Sequence, residues 1–352
     1  MKQFGSHTFL NCYALEKIEI DEENQNFSFV NGILLNRDRT EMVYILASAI
    51  SEGQTVFEIP YGIVKISTFE PADIKDINKM VIPKSVTSIN FSSINKNVRE
   101  IEVNSENEYY CSENGSVYSK DKTALCFYSI KIDGSDNLKE ITIPEGITTI
   151  RKHAFRQCSN VEKIDLPHSL TTIESEGIST RTNLTEVNVK ENVSNIGPLA
   201  FYSCSKLINL NIDSSNPYYM VEGQGIYNKD KTLLVGTFGK IIGTFEVPYG
   251  VEIVGEFSIH NQKEMTAIIL PETLKEIKQT FSYCSGLTTI TIPNSVNKIH
   301  TYTFNGTDNL SEIIIDNYHF TDSSKKTPTI PGEPWGCKYG ARAITWLRGE
   351  HP

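Results

Sequence analysis

The sequence lacks most of the signatures from which chemistry is usually read. Its seven cysteines include no C-x-x-C pair, and its seven histidines include no H-E-x-x-H. Neither a structural zinc site nor a zinc-protease centre is therefore spelled out, and no metal or cofactor is expected. There is no G-x-S-x-G and no P-loop, so no nucleophile elbow and no phosphate cradle is encoded. The stretch EGQG at Glu222–Gly225 falls in a predicted hairpin and not at a helix start. Acidic residues outnumber basic ones 43 to 33, for a net charge of −10. A phosphate backbone needs a basic face, so no nucleic-acid partner is expected. No apolar run reaches the roughly 18 residues of a membrane span, so no membrane insertion is expected either. The opening MKQFGSHTFLNCYALEKI lacks the apolar core of an export signal. It starts inside the pattern described next, and the expectation is that the natural N-terminus lies upstream, with any export signal.

What the sequence does contain is repetition. IPEGITTI at Ile143–Ile150 is answered by LPHSLTTI at Leu166–Ile173. Pro144 to Pro167, Phe155 to Ile178, Ile178 to Phe201 and Phe281 to Phe304 are each 23 residues apart, and Ile259 to Phe281 is 22. Periods of 20–29 residues mark solenoids, in which a unit too small to bury its own apolar face stacks on the next. Within one unit, IRKHAFRQCSNVEKIDLPHSLTT, Ile164 and Leu166 have the two-residue spacing of a half-buried strand, and SLTTI is a second short extended piece. HAFRQC has apolar residues three to four apart, which predicts a helical or 3-10 corner. Pro167 is compatible with a strand end.

The main strand can be placed twelve times: Ile18–Ile20, Phe57–Ile59, Met80–Ile82, Ile101–Val103, Ile141–Ile143, Ile164–Leu166, Val187–Val189, Leu210–Ile212, Phe245–Val247, Ile268–Leu270, Ile290–Ile292 and Ile313–Ile315. Stacked, they predict one parallel sheet over a continuous core. AFRQCSNVEKIDLP, AFYSCSKLINLNI and TFSYCSGLTTITIP resemble the BspA-like leucine-rich repeats, with their A-F-x-x-C-x-x-L-x-x-I-x-I-P consensus, over roughly residues 4–316. The resemblance implies a leucine-rich repeat solenoid at the bacterial cell surface or outside the cell. It also implies a non-catalytic role in adhesion or ligand binding, and it brings no catalytic residues. Host or matrix proteins and glycans are the partners in view, and the chain is expected to be a monomer. The alternatives are a spacer carrying another domain, or the scaffold of a surface enzyme acting on glycans.

Three segments interrupt the period and align without a gap: Asn24–Thr40, Asn107–Thr123 and Asn216–Thr232. Each has an apolar pair, a Gly-bearing bend, a second apolar pair and a polar turn such as NRDRT or NKDKT. They predict β-hairpins inserted near 24–45, 107–128 and 216–236, whose Asp and Asn side chains can bond their own backbone. A solvated turn is a better reading of these tips than a binding site. The solenoid is thus expected over 1–320. A capping segment follows over 321–352, where Trp335 and the run Ile344–Leu347 can cover the exposed end of the core.

Cys12, Cys158, Cys204 and Cys284 share one repeat position, three residues after the corner aromatic in the fullest repeats, and are expected to be reduced and buried. Arg181 stands between Cys158 and Cys204 in this column. Those two therefore lie two turns apart, roughly 9–10 Å by strand spacing, beyond the ~7 Å limit for a disulfide. Cys111, Cys126 and Cys337 show no clear pairing. His7, His153 and His300 are near one corner position, where a surface role is the simpler reading; His168, His260, His319 and His351 are scattered. The Asn-x-Ser/Thr triplets, as at Asn183, are taken as chance.

The side chains flanking each inward Ile or Leu should point off the sheet. They are mostly charged or amide in the first two-thirds of the chain, from Glu19 to Asn211. They turn to small and apolar types in the last turns. The ligand-binding face is therefore expected at Thr244, Glu246, Ala267, Ile269, Thr289, Thr291 and Ile314, since apolar residues gathered on one exposed sheet are informative.

Overall fold

A computed structural model describes residues 12, 15, 17–69, 76–95, 97–130, 138–180, 183–316 and 343–347. The expectations placed on His7, Arg181, His319, Trp335, Cys337 and His351 lie outside these residues. The chain divides into two compact units, Met1–Leu138 with Gly146–Asn160, and Lys139–Glu145 with Val161–Pro352. Each is solenoidal: successive turns contribute one strand to a main parallel sheet and a shorter strand to a second one.

In the first unit the main sheet comprises Val56–Glu58, Lys79–Ile82 and Glu100–Val103, with Phe57, Met80 and Ile101 in register. In the second unit Glu140–Thr142, Lys163–Asp165, Glu186–Val189 and Asn209–Ile212 stack with Ile141, Ile164, Val187 and Leu210 in register. Gly243–Glu246 pairs with Met265–Ile269, and Thr289–Ile292 with Glu312–Asp316. The two-residue period puts these aliphatic side chains inward. Ile141, Ile164 and Val187 are at most 1% exposed, whereas the alternate Thr142 faces solvent. Full burial of a side chain of this size contributes about 1.5–3 kcal/mol, and the same gain recurs at every turn.

Eleven of the twelve expected main strands are present, within one to three residues of the expected limits. Ile18–Ile20 is not a strand. Its side chains are partly buried, and Ile18 and Ile20 pack with Phe27, Leu34, Tyr44 and Leu46 in a small separate cluster. The tail contributes one more strand, Ala343–Leu347, parallel to Glu312–Asp316 with Ile344 opposite Ile313.

The corners are mostly not helical. Short 3-10 helices occur at Ala47–Ala49 and Phe91–Ser93. Elsewhere the corner is a run of tight turns, as where the Arg156 N–H donates to His153 O (3.0 Å) and the Cys158 N–H to Phe155 O (2.8 Å). Left-handed residues interrupt any helix: His153, Glu176, Leu199, Phe257 and Tyr302 have φ between 51° and 62°, and Thr180, Ser203, Asn261 and Tyr283 between 55° and 59°. The apolar three-to-four spacing reflects two consecutive turns.

The inserts are more than hairpins. Each is a three-stranded antiparallel meander: Phe27–Val30, Ile33–Asn36 and Glu41–Ile45; Tyr110–Glu113, Ser116–Ser119 and Ala124–Phe127; Tyr219–Glu222, Gly225–Asn228 and Leu233–Thr237. The third strand of each starts a stretch of the second parallel sheet, pairing with Lys65–Ile66, Thr149–Ile150 and Ile253–Val254 respectively. Asn31–Gly32 and Asn114–Gly115 are left-handed at both residues, as two-residue type I′ loops require. The polar tips are satisfied internally. Asn36 Oδ1 accepts from the N–H groups of Thr40 and Glu41, both at 2.8 Å, and Asn228 does the same for Thr232 and Leu233.

The first residue of the second and third inserts is a fully buried asparagine. Asn216 donates to Lys190 O and Val193 O, both at 3.0 Å, and its Oδ1 accepts from the Tyr218 and Tyr219 N–H groups, both at 2.8 Å. Asn107 repeats the arrangement with Pro83 O, Val86 O and the N–H groups of Tyr109 and Tyr110. One amide thus pins the insert to the preceding turn.

Cys158, Cys204 and Cys284 are buried thiols, as is Cys126; Cys111 is partly exposed. Cys12, expected in the same buried column, is exposed. Burial pushes the Cys284 thiol up to about 12.

Two outcomes follow. Asn216→Ala should cost roughly 2–4 kcal/mol, because it strands two buried carbonyls and two N–H groups at once; thermal or denaturant unfolding measures this. In a Cys337→Ser background at pH 8, a thiol reagent should modify Cys12 and Cys111 in the native protein. It should reach Cys126, Cys158, Cys204 and Cys284 only after denaturation, as mass spectrometry of the labelled peptides would show.

Candidate functional site

The main-sheet face differs along the second unit. On the Glu140–Ile212 sheet the outward side chains bind one another. Lys163 pairs with Glu186 (3.2 Å), Lys190 with Asp165 (3.1 Å), and the Asn211 amide donates to Asn188 Oδ1 (3.0 Å). In the first unit Lys79 likewise pairs with Glu100 (3.0 Å) and Glu102 (2.7 Å). Such exposed pairs contribute about 0–1 kcal/mol each, but they tie up the polar groups of the face.

The face beyond Gly243 has a different composition. Thr244, Glu246 and Thr291 are exposed, Ala267, Thr289 and Ile314 partly so, and Ile269 is 51% exposed. The register sets Thr244 beside Ala267, Glu246 beside Ile269, and Thr291 beside Ile314. The hydrogen-bonded ladder does not continue from Met265–Ile269 to Thr289–Ile292, so these residues occupy two adjoining sheets. The bulge that opens the ladder of Gly243–Glu246 with Met265–Ile269 lies in the latter strand: Gly243 (φ +77°) pairs with Met265 and Thr244 with Ala267, which leaves Thr266 as the extra residue. Just before Gly243, Ile242 is 71% exposed while Ile241 is buried. Sequence reading did not find Ile242, although the doubled Ile before a glycine is the sign of it.

His260 forms a second cluster. Three residues separate Phe238 from Ile241, where six separate Phe281 from Leu287. The shortened corner leaves a cavity of about 30 Å³ lined by Gly197, Tyr202, Gly236 and His260, among others. The His260 ring meets Tyr202, Phe257 and Tyr283 edge-on, at centroid distances of 5.1, 5.8 and 5.5 Å. Its Nδ1 is buried with no hydrogen-bond partner among the described residues. Burial among rings lowers its pKa below the usual histidine value. Of the other histidines, His168 lies 3.0 Å from Glu191 and His300 2.6 Å from Glu276. Among the described residues no group of three or more His, Cys, Asp or Glu is placed to hold a metal ion, and no helix is long and apolar enough to cross a membrane.

Six copies of the BspA type leucine rich repeat region match residues 127–222 and 237–327. These stretches make up more than half of the chain, and the chain belongs to that family. Several solved structures are similar to it, among them the following three. One is a leucine-rich repeat protein from Eubacterium ventriosum, with 25% identity over 71% of this chain and 64% of that one and a TM-score of 0.46. Another is a leucine rich cell surface protein from Faecalibacterium prausnitzii, with 18% identity over 84% and 90% and a TM-score of 0.47. The third is the pneumococcal vaccine antigen PcpA, with 16% identity over 84% and 82% and a TM-score of 0.48. No curated protein sequence matches.

The His260 cluster yields a pH dependence. Its folded pKa lies below the ordinary value of 6.5, so folding favours the neutral ring. Its contribution to stability is complete above about pH 6.5 and is lost as the pH falls from there toward the lower folded value. Replacing His260 with Phe should remove this part of the acid destabilisation, read as a smaller drop in Tm between pH 7.5 and 5.5.

Proposed function

We propose that this member of the BspA-type leucine-rich repeat family is a non-catalytic binding module at the cell surface or outside the cell. It presents the main-sheet face beyond Gly243 to a protein or glycan. The observation that carries this reading is the contrast between faces. Elsewhere the sheet closes its polar side chains on one another, whereas here Ile269 stands half-exposed beside Thr and Glu. A soluble protein usually removes apolar side chains from an open sheet, so their retention points to a partner. The surface location is supported by the family and by similarity to a protein described as a leucine rich cell surface protein. The absence of nucleophile or metal motifs, with most of the chain given to repeats, weighs toward binding and against an enzyme scaffold. A monomer suffices for this role.

A spacer that holds another domain away from the cell is the second reading. It is favoured by the strand Ala343–Leu347, which pairs with Glu312–Asp316, so that the turn carrying Ile314 is flanked on both sides and its apolar residues serve the stack.

Ile269→Lys and Ile314→Lys separate the two. Under the binding reading both variants keep the parent Tm within about 2 °C and lose affinity at least tenfold in a binding array of matrix proteins and glycans, since a lysine would have to be desolvated against an apolar contact. Loss of several degrees in both would mark the patch as structural, and unchanged affinity for every captured ligand would remove this face from consideration.

A further inference from the structure

The corner that carries Tyr218 overhangs a groove that belongs neither to the sheet face nor to the core. It lies in the bends that join the two sheets of the second unit. Its volume is about 530 Å³, within the roughly 300–1,000 Å³ of small-ligand sites. Tyr218 forms one rim with its ring 49% exposed, and the buried Asn216 fixes the backbone that presents it.

The polar walls show what could bind. Their donors are largely spent on the protein. Asn192 Nδ2 donates to His168 O (2.8 Å), Ser194 Oγ to Thr171 O (3.4 Å), and Ser215 Oγ to Asp213 Oδ1 (2.7 Å). The neighbouring Tyr219 hydroxyl donates to Ser194 O (3.1 Å) while accepting from the Ile196 N–H (3.2 Å). What these groups still offer is mainly acceptors: the Asn192 carbonyl oxygen and the lone pairs of Ser194 and Ser215, beside the second Asn192 N–H. Glu191 adds a carboxylate, held below its usual pKa by its own backbone N–H and then by His168. An acceptor-rich groove repels phosphate, sulfate and uronate groups. It suits a ligand that brings many neutral donors and one apolar face to set against Tyr218. A pyranose has that form, with hydroxyls around its edge and C–H bonds on its face.

We propose that the groove between Tyr218 and the bends at Ser169–Thr171 and Glu191–Ser194 is a binding subsite for neutral or N-acetylated hexose chains, with Tyr218 as the stacking platform and Glu191, Asn192, Ser194 and Ser215 as acceptors of ligand hydroxyl or amide protons. A cationic peptide would also meet acceptors here. However, the one carboxylate in the walls already has His168 beside it (3.0 Å), and the remaining acceptors are neutral and spread over three turns.

The first unit supplies an internal control. Tyr109 takes the same place after its buried Asn107 and is 52% exposed. In its surroundings Lys84 stands where Glu191 does and Glu106 where Ser215 does, and the two close on each other at 2.8 Å. That corner shows an ion pair in place of open acceptors.

The test uses the full chain and isothermal titration with tetrasaccharides of glucose, mannose, galactose and N-acetylglucosamine, with tetragalacturonate and tetralysine alongside. At least one neutral tetrasaccharide should bind. Tyr218→Ala should weaken it by about tenfold, of the order an aromatic contact contributes, with an unchanged Tm because the ring is exposed. Tyr218→Trp should retain binding, and Tyr109→Ala should leave it unaltered. The proposal is overturned if no neutral tetrasaccharide binds, if tetralysine or tetragalacturonate is the only ligand, or if Tyr218→Ala leaves affinity unchanged. Because Ile269 and Ile314 take no part in the groove, Ile269→Lys should not alter this binding, and failure of the sheet-face reading would be seen separately.

Discussion

Both units depend on keeping successive turns in register. A strand's side chains alternate between faces, so a slip of one residue would turn the column Ile141, Ile164, Val187, Leu210 to solvent and bring Thr142, Asp165 and Asn188 into the core. The backbone ladders alone do not prevent this, because each has only two to five residues per strand. Register is set by the aliphatic columns and by side chains that reach one turn back at a fixed offset. Thr185 Oγ1 donates to Glu162 O (3.0 Å) and Ser311 Oγ to Thr288 O (3.0 Å), both 23 residues back.

The inserts put this mechanism at risk, since each lengthens the 23-residue step: Ile101 to Ile141 is 40 residues and Leu210 to Phe245 is 35. The buried asparagines answer it. Asn107 and Asn216 bind carbonyls 21–26 residues earlier with their amides and the start of the meander with their oxygens. The insert therefore leaves the stack at a fixed point. Its third strand then starts a new stretch of the second sheet, as the strand after the insert starts a new stretch of the main one. The same fixed departure point holds Tyr109 and Tyr218 outward, and so a structural need determines where exposed aromatic rings occur.

Much of the fold was legible because the repeat carries its own control. A 23-residue spacing between like residues is hard to produce by chance, and period-2 alternation names the inward side chains. What could not be read were features decided by backbone angles. HAFRQC has the spacing of a helix, yet His153 at φ 59° breaks it, and nothing in the residue type announces that. The inserts read as hairpins because ALCF and LLVGT look like resumed repeat; only the pairing of Ala124 with Thr149 and Leu233 with Ile253 shows that they belong to both meander and sheet. Cys12 follows the cysteine column in sequence but lies outside the buried part of the stack.

The candidate sites were legible to unequal degrees for the same reason. The sheet face follows from alternation, and Thr244, Glu246, Ile269 and Thr291 are exposed as alternation requires. The groove under Tyr218 follows from no period. It arises where an insert leaves the stack, and its chemistry is set by which hydrogen-bond donors the protein has already used. Asn192 and Ser194 read in sequence as ordinary solvated residues. Only their bonds to His168 O and Thr171 O show that what they present is mainly their acceptors. In a repeat fold the regular positions are constrained by stacking, so variation in chemistry collects at the interruptions. In this chain those are the bulge at Thr266 opposite Gly243, the shortened corner beside His260 and the overhang at Tyr218.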